Sequence, residues 1–340
     1  IDLHTHGIGY EAVKSGNLEA IAHLEASYGA TAFCPTLFGS AKESAGLMER
    51  HIRETDGFRK LPQILGFRLE SPYIAIPSGG TPDDVSPILP ETTSMLLQAG
   101  GGRIKIWDIS PELDGAPDLI RYLSGLGIVC SIAHTHASIE QARAAVDAGA
   151  TLVTHFFDVF GTPEQSDPDP DIAPLGLTDY LLIEDKVTCE VIADGTHVHP
   201  IHLEKTWRCK TPDRMACVTD SNLGSGLPPG RYSLPGGWGD AIIGNCNDGV
   251  RLPDRDMCLA GSAMTPVDSF RNIVQMFNKE IALASRICSG TPARIMNLNK
   301  GEISPGKDAD LVILDSTFNV LYTIAGGTVV YEIGIQESIR

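Results

Sequence analysis

This 340-residue chain lacks several features that would settle its class at once. No apolar run approaches the roughly 18 residues that a membrane-spanning helix needs. Basic residues are scarce: 26 Lys and Arg stand against 43 Asp and Glu, a net charge of −17. Nucleic-acid phosphates call for a basic surface, so no nucleic-acid partner is expected. An anionic small molecule finds no general attraction either, and a phosphate would need a local cationic pocket. The eight cysteines form no C-x-x-C pair, and several sit inside apolar runs such as Ile128-Val129-Cys130 and Ala216-Cys217-Val218. Buried thiols in a reducing cytoplasm are the expectation, not a disulfide frame. There is no internal repeat and no low-complexity tract. Residue 1 is Ile, so the reading includes a segment ahead of it that was removed or is absent.

What the chain does have is alternation. Short apolar runs occur at 1–3, 30–37, 64–69, 103–106, 127–133, 151–154, 187–193 and 215–219. Helical patterns separate them at 18–28, 41–55, 116–126 and 139–148, the last opening on Ser138 as N-cap. Strand–helix alternation predicts parallel strands joined by crossover helices, and eight strands predict a (β/α)8 TIM-like barrel over residues 1–300. Residues 221–262 are rich in Gly and Pro and read as a long loop with short β pieces. A helical block is expected at about 266–288 and a shorter one at 292–296. The tail, 301–340, reads as β, with strands at 310–314, 319–324 and 328–333 and Gly326-Gly327 as a turn. Asp167-Pro168-Asp169-Pro170-Asp171 reads as a stiff, solvated acidic loop.

The first run ends in His4-Thr5-His6. Residues i and i+2 of a strand share a face, so both imidazoles would project into one small volume, ready for zinc, iron or nickel. Other ligand-type residues follow other strands: Glu70, His134, His155, Asp194 with His197 and His199 just after, and Asp220. Asp194 precedes Gly195 and reads as a turn residue. The C-terminal strand ends of such a barrel form the active-site mouth, so these residues would converge. Two histidines and a carboxylate hold a divalent ion with a position open for water. A carboxylate on the last strand can accept the water's proton and pass it to the leaving group. A nearby histidine can polarise the carbonyl under attack. These parts suit hydrolysis of an amide or related C–N bond.

The segments Ile1-Asp2-Leu3-His4-Thr5-His6-Gly7, Leu69-Glu70-Ser71-Pro72-Tyr73, Ala133-His134-Thr135-His136-Ala137, Thr154-His155-Phe156-Phe157, Ala193-Asp194-Gly195-Thr196-His197-Val198-His199 and Val218-Thr219-Asp220 resemble the amidohydrolase superfamily. Leu259-Ala260-Gly261-Ser262 and the stretch from Gly301 to Leu311 extend the likeness. Within the superfamily it is similar to N-acetylglucosamine-6-phosphate deacetylases. The resemblance implies that Glu70, His134 and His155 hold the principal metal and that His4 and His6 hold a second where one is bound. It implies Asp220 as general base and then acid, and His197 as the group that contacts substrate and polarises the carbonyl. It implies one or two divalent ions, zinc ahead of iron, a small-molecule substrate and a homodimer. It also implies a small β-sandwich domain contributed by both chain termini, of which 301–340 is the C-terminal part.

The phosphate region departs from the resemblance. The family reads Leu-Phe-Asn-Ala-Met after the histidine of the sixth strand, with an Arg shortly beyond. Here Phe156-Phe157-Asp158-Val159-Phe160 stands there, and residues 161–177 contain no Lys or Arg but Glu164, Asp167, Asp169 and Asp171. Like-charge juxtaposition disfavours a phosphate there. Asp158, His136 and His199 are the expected substrate-binding side chains. The expected activity is removal of an acyl group, acetyl first, from an N-acylated amino sugar or similar amide. Alternatives are a cyclic-amide hydrolase with Lys105 carboxylated between two metals, a deaminase, and a metal-dependent phosphoesterase.

Overall fold

The computed structural model describes residues 1–78, 82–161, 175–235 and 239–334. Eight strands form one sheet in sequence order: β1 (Asp2–Thr5), β2 (Phe33–Leu37), β3 (Phe67–Leu69), β4 (Ile104–Ile109), β5 (Val129–Ile132), β6 (Ala150–Val153), β7 (Thr188–Ile192) and β8 (Met215–Val218). Every neighbouring pair is parallel. The ends of the sheet meet: the Asp220 amide donates to the His4 carbonyl at 2.9 Å, and the His6 amide to the Ser221 carbonyl at 2.7 Å. This is the (β/α)8 barrel expected from the alternation.

Helices α1 (Leu18–Ser27), α2 (Ala41–Glu54), α3 (Pro90–Gly100), α4 (Ala116–Gly125), α5 (Ile139–Ala148), α6 (Leu177–Ile183), α7 (Pro200–Cys209) and α8 (Pro266–Gln275) surround the strands. Their starts are written in the sequence. Asn17 and Ser40 cap α1 and α2, and Ser138 with Gln141 forms a reciprocal capping box on α5. Proline occupies the first turn of α3, α4, α7 and α8.

Strand alternation sorts the core. Phe67, Leu69, Trp107 and Ile109 face outward and pack with Leu96 and Leu119 of the helices. Their neighbours Arg68, Glu70, Ile106 and Asp108 face the barrel interior, as period-two geometry requires. The polar members of this inner set carry the chemistry.

One expectation is sharpened and one is corrected. Residues 221–262 do carry the short β pieces expected of them. They contain an antiparallel meander of β9 (Gly230–Leu234), β10 (Gly239–Ile243), β11 (Val250–Leu252) and β12 (Cys258–Leu259), with its own cluster of Leu234, Ala241, Ile243, Val250 and Leu252. The strands are short and Gly-punctuated, which hides their period. The helical block at 266–288 is interrupted after Gln275. Asn278 takes φ 50°, a left-handed conformation that a helix interior does not accept. A helical turn at Ile281–Ser285 and a wider one at Arg286–Gly290 follow.

The tail forms a three-stranded antiparallel sheet of β13 (Leu311–Leu314), β14 (Val320–Ala325) and β15 (Thr328–Glu332). Gly326 and Gly327 make the hairpin turn, both at positive φ (57° and 79°), as a tight two-residue hairpin demands. Thr323 Oγ1 ties β14 to the Ala26 carbonyl of α1 at 2.6 Å. The acidic 167–171 stretch lies outside the described residues. All eight cysteines are unpaired, four of them buried. Among the described residues no helix is long and apolar enough to cross a membrane.

Candidate active site

The expected ligands do converge at the C-terminal ends of the strands. Glu70, immediately after β3, is the hub. Its Oε1 lies 3.0 Å from His134 Nε2 and 3.2 Å from His155 Nε2. Its Oε2 lies 2.9 Å from His6 Nε2 and 3.4 Å from His4 Nε2. Asp220 Oδ1, just past β8, is 3.4 Å from both His4 Nε2 and His6 Nε2. One carboxylate thus faces two histidine pairs, one on each oxygen. All but His6 are buried.

The donor set fits a divalent ion on each side of Glu70. Within each pair the Nε2 atoms are 3.1 Å apart. Ligands held about 2.0–2.1 Å from one tetrahedral ion lie about 3.3 Å from each other. The outer nitrogens agree. His134 Nδ1 donates to the Ile76 carbonyl at 2.8 Å and His155 Nδ1 to the Asp158 carbonyl at 3.2 Å. Carbonyls hold the proton on Nδ1, which leaves the Nε2 lone pair for a cation.

Electrostatics point the same way. Burial alone would lower the His6 and His155 pKa values. Glu70 and Asp220, with Asp158 beside His155, outweigh it and raise both to about 10. Burial would raise the Glu70 carboxyl, but His4, His6, His134 and His155 hold it well below its ordinary value. Burial likewise opposes Asp220, yet His4, His6 and His155 keep its carboxyl depressed. The pocket is built to surround its carboxylates with positive charge, which protons or a metal can supply.

The backbone is strained at the same places. His134, His155 and Asp220 have φ of 47°, 24° and 48°. Non-glycine residues enter this region at a cost, and such residues gather at functional sites.

Asp194 does more than turn the chain. Its Oδ1 accepts from the amides of Thr196 and His197, both at 2.9 Å, and its Oδ2 accepts from His197 Nδ1 at 2.6 Å. Burial lowers the His197 pKa, but the bond to Asp194 and its charge raise it above the ordinary value. Sequence reading missed this orienting role. The three-residue spacing from Asp194 to His197 was the available signal.

Arg68 was missed as well. Its guanidinium donates to both carboxylate oxygens of Asp108 at 3.0 Å, to Glu190 at 2.7 and 2.9 Å, to Thr154 Oγ1 at 2.9 Å and to the Leu3 carbonyl at 3.2 Å. All three charged groups are fully buried. Arg68 shares Glu70's face of β3, so parity alone could have placed it under the centre.

The remaining candidates lie at the rim. Asp158 is half-buried, and one ligand-type atom each of His155, Asp158 and Asp220 lie within 4.8 Å of one another. The exposed His136 ring packs at Gly161, and its amide donates to Glu112 at 2.7 Å. The His199 ring caps α7 by accepting from the Ile201 amide at 3.2 Å. Lys105 is not at a C-terminal strand end. It is the second residue of β4, packs against Gly66, and joins none of the donor clusters found among the described residues.

Known proteins agree with this geometry. The amidohydrolase family model matches residues 1–330. The chain is 28% identical to the N-acetylglucosamine-6-phosphate deacetylase of Bacillus subtilis over 97% of its own length and 83% of that protein's. It is 30% identical to the Bos taurus enzyme of the same name, covering 95% of this chain and 78% of that one. A Mycobacterium smegmatis N-acetyl-D-glucosamine-6-phosphate deacetylase structure superposes with a TM-score of 0.84 at 27% identity, covering 97% of this chain and 86% of that one. The barrel, the donor-lined mouth and these similarities together make the chain a member of the amidohydrolase family.

Proposed function

We propose that the protein is a metal-dependent hydrolase that removes the acetyl group from an N-acetylated amino sugar. The observation that carries this is the two-sided Glu70, with a histidine pair on each oxygen and Asp220 alongside. The names of the relatives supply the substrate class. In this reading Glu70, His134 and His155 hold the principal ion, and His4 and His6 a second. Zinc is the proposed metal, at one or two ions per chain. A bound ion supplies Lewis acidity that acidifies water and polarises the acyl oxygen.

The chain's own groups do the rest. Asp220, kept ionised, takes the proton of the attacking water and returns it to the leaving amine nitrogen. His197 meets the acyl group with Nε2 while Asp194 fixes its Nδ1, and its raised pKa favours the doubly protonated donor form. His136, Asp158 and His199 are the proposed contacts to the sugar. A carboxylated Lys105 has no support from its position, which leaves the cyclic-amide alternative unfavoured. The proposal extends to a cytoplasmic homodimer with residues 301–340 as part of a small β domain. Sedimentation and cell fractionation test the first two points.

The test is acetate release by zinc-loaded protein from N-acetylglucosamine, its 6-phosphate and N-acetyl amino acids. Turnover of an amino sugar, lost on chelation and restored by zinc, is expected. Turnover of amino acids alone would overturn the substrate class.

A further inference from the structure

Asp158 lies in the segment leaving β6, which pairs back to Thr135 just after β5. Its neighbours Phe157 and Val159 have φ of 77° and 55°, conformations that tertiary bonds must hold. Those bonds are present. The Asp158 carbonyl accepts from His155 Nδ1 at 3.2 Å, the Thr135 amide donates to Val159 at 3.2 Å, and the Gly161 amide donates to Thr135 at 2.8 Å. Glu112 in turn fixes the Thr135 hydroxyl at 2.5 Å. The carboxylate is thus carried on a clamped backbone.

It stands beside the reacting centre, in one cluster with His155 and Asp220. Its charge acts on the His155 and His197 imidazoles, but among the described residues its carboxylate makes no hydrogen bond or ion pair. Every other carboxylate of the centre is engaged: Glu70 by four imidazoles, Asp220 by two, Asp194 by His197. A half-buried acceptor left open at a reacting centre is a group that substrate can satisfy. The same negative charge is unfavourable toward an anion.

We propose that Asp158 is a specificity-determining residue: it accepts a hydrogen bond from a hydroxyl or ammonium of the amino sugar and selects against a phosphorylated one. The substrate class is then an unphosphorylated N-acetyl amino sugar. This rests on the amino-sugar reading above. Discrimination of this kind works in two ways, since the matching donor satisfies the carboxylate while the anion meets repulsion.

The experiment compares kcat/KM for N-acetylglucosamine and N-acetylglucosamine-6-phosphate in the zinc-loaded protein and in Asp158→Asn, with bound zinc measured in both. The wild type is expected to favour the unphosphorylated sugar. Asp158→Asn is expected to shift the ratio toward the phosphate by a factor on the order of 10², mainly through KM, with zinc content unchanged. Asp158→Ser should shift it in the same direction, which guards against a variant-specific folding defect. A wild-type preference for the phosphate, or a ratio that neither variant moves, overturns the proposal while the amino-sugar reading stands. Loss of zinc in both variants also overturns it, because Asp158 would then be a metal ligand. Failure to hydrolyse either sugar overturns the amino-sugar reading and this inference with it.

Discussion

Asp220 combines three properties at one residue: burial, a strained left-handed backbone and a carboxyl kept ionised by neighbouring imidazoles. Asp220→Asn keeps the shape and removes the proton acceptor. Turnover should fall by a factor on the order of 10² or more, with metal content retained by elemental analysis. Full activity would remove Asp220 from proton transfer. Glu25 makes a pH prediction away from the site. It is buried, its Oε1 accepts from Thr5 Oγ1 at 3.1 Å, and its Oε2 has no partner. Burial first, then the nearby Asp2 charge, push its carboxyl up to about 8. An unfolded Glu titrates near 4.3. Between these values the folded chain keeps a proton that the unfolded chain releases, so Glu25 costs stability increasingly as pH rises through that window. Glu25→Gln should therefore melt higher than wild type at pH 8, with the difference shrinking as pH falls and vanishing below about pH 4. A difference independent of pH would refute the assignment.

At the scale of elements, one guanidinium ties the barrel interior together. Arg68 of β3 reaches Asp108 on β4, Thr154 after β6, Glu190 on β7 and the Leu3 carbonyl of β1. Those strands present His4, Glu70 and His155, so the tie sets the spacing of the donors above it. Removing one member of a buried ion network leaves uncompensated charge and typically costs about 3–5 kcal/mol. Arg68→Met should destabilise the fold by about that amount in denaturant unfolding and weaken zinc binding in a competition titration. An unchanged unfolding midpoint would show that the strands hold register without it. The sequence displayed the parity that puts Arg68 beneath Glu70. It could not display the partners, which are 40 and 122 positions away.

For the whole molecule, the metal centre should couple to stability. Four imidazoles and two carboxylates, from His4 near the start of the barrel sheet to Asp220 just past its last strand, meet there. An ion that binds only the folded state stabilises it by about 4 kcal/mol at a thousand times its dissociation constant. Chelation should thus lower the melting temperature, and graded zinc should restore it in a concentration-dependent way. A melting temperature indifferent to chelator and zinc would count against a bound ion. His6→Ala should reduce zinc bound in a two-ion protein toward one per chain while sparing the side formed by His134 and His155. Loss of both ions would show the two sides to be inseparable.

The local sequence determined the eight strand runs, the capped helix starts and the ligand-type residues that follow the strands, because alternation, caps and strand ends are short-range patterns. It also held the donor pair His4 and His6, two residues apart on one strand. Tertiary structure decided what those donors face. It made Glu70 the shared hub, turned Asp194 from a turn residue into the anchor of His197, and moved Lys105 away from the mouth. It also organised 221–262 into a sheet whose cluster joins strands too short to show a period. These outcomes depend on contacts across tens to hundreds of residues, where closing the barrel, not local propensity, sets which groups meet.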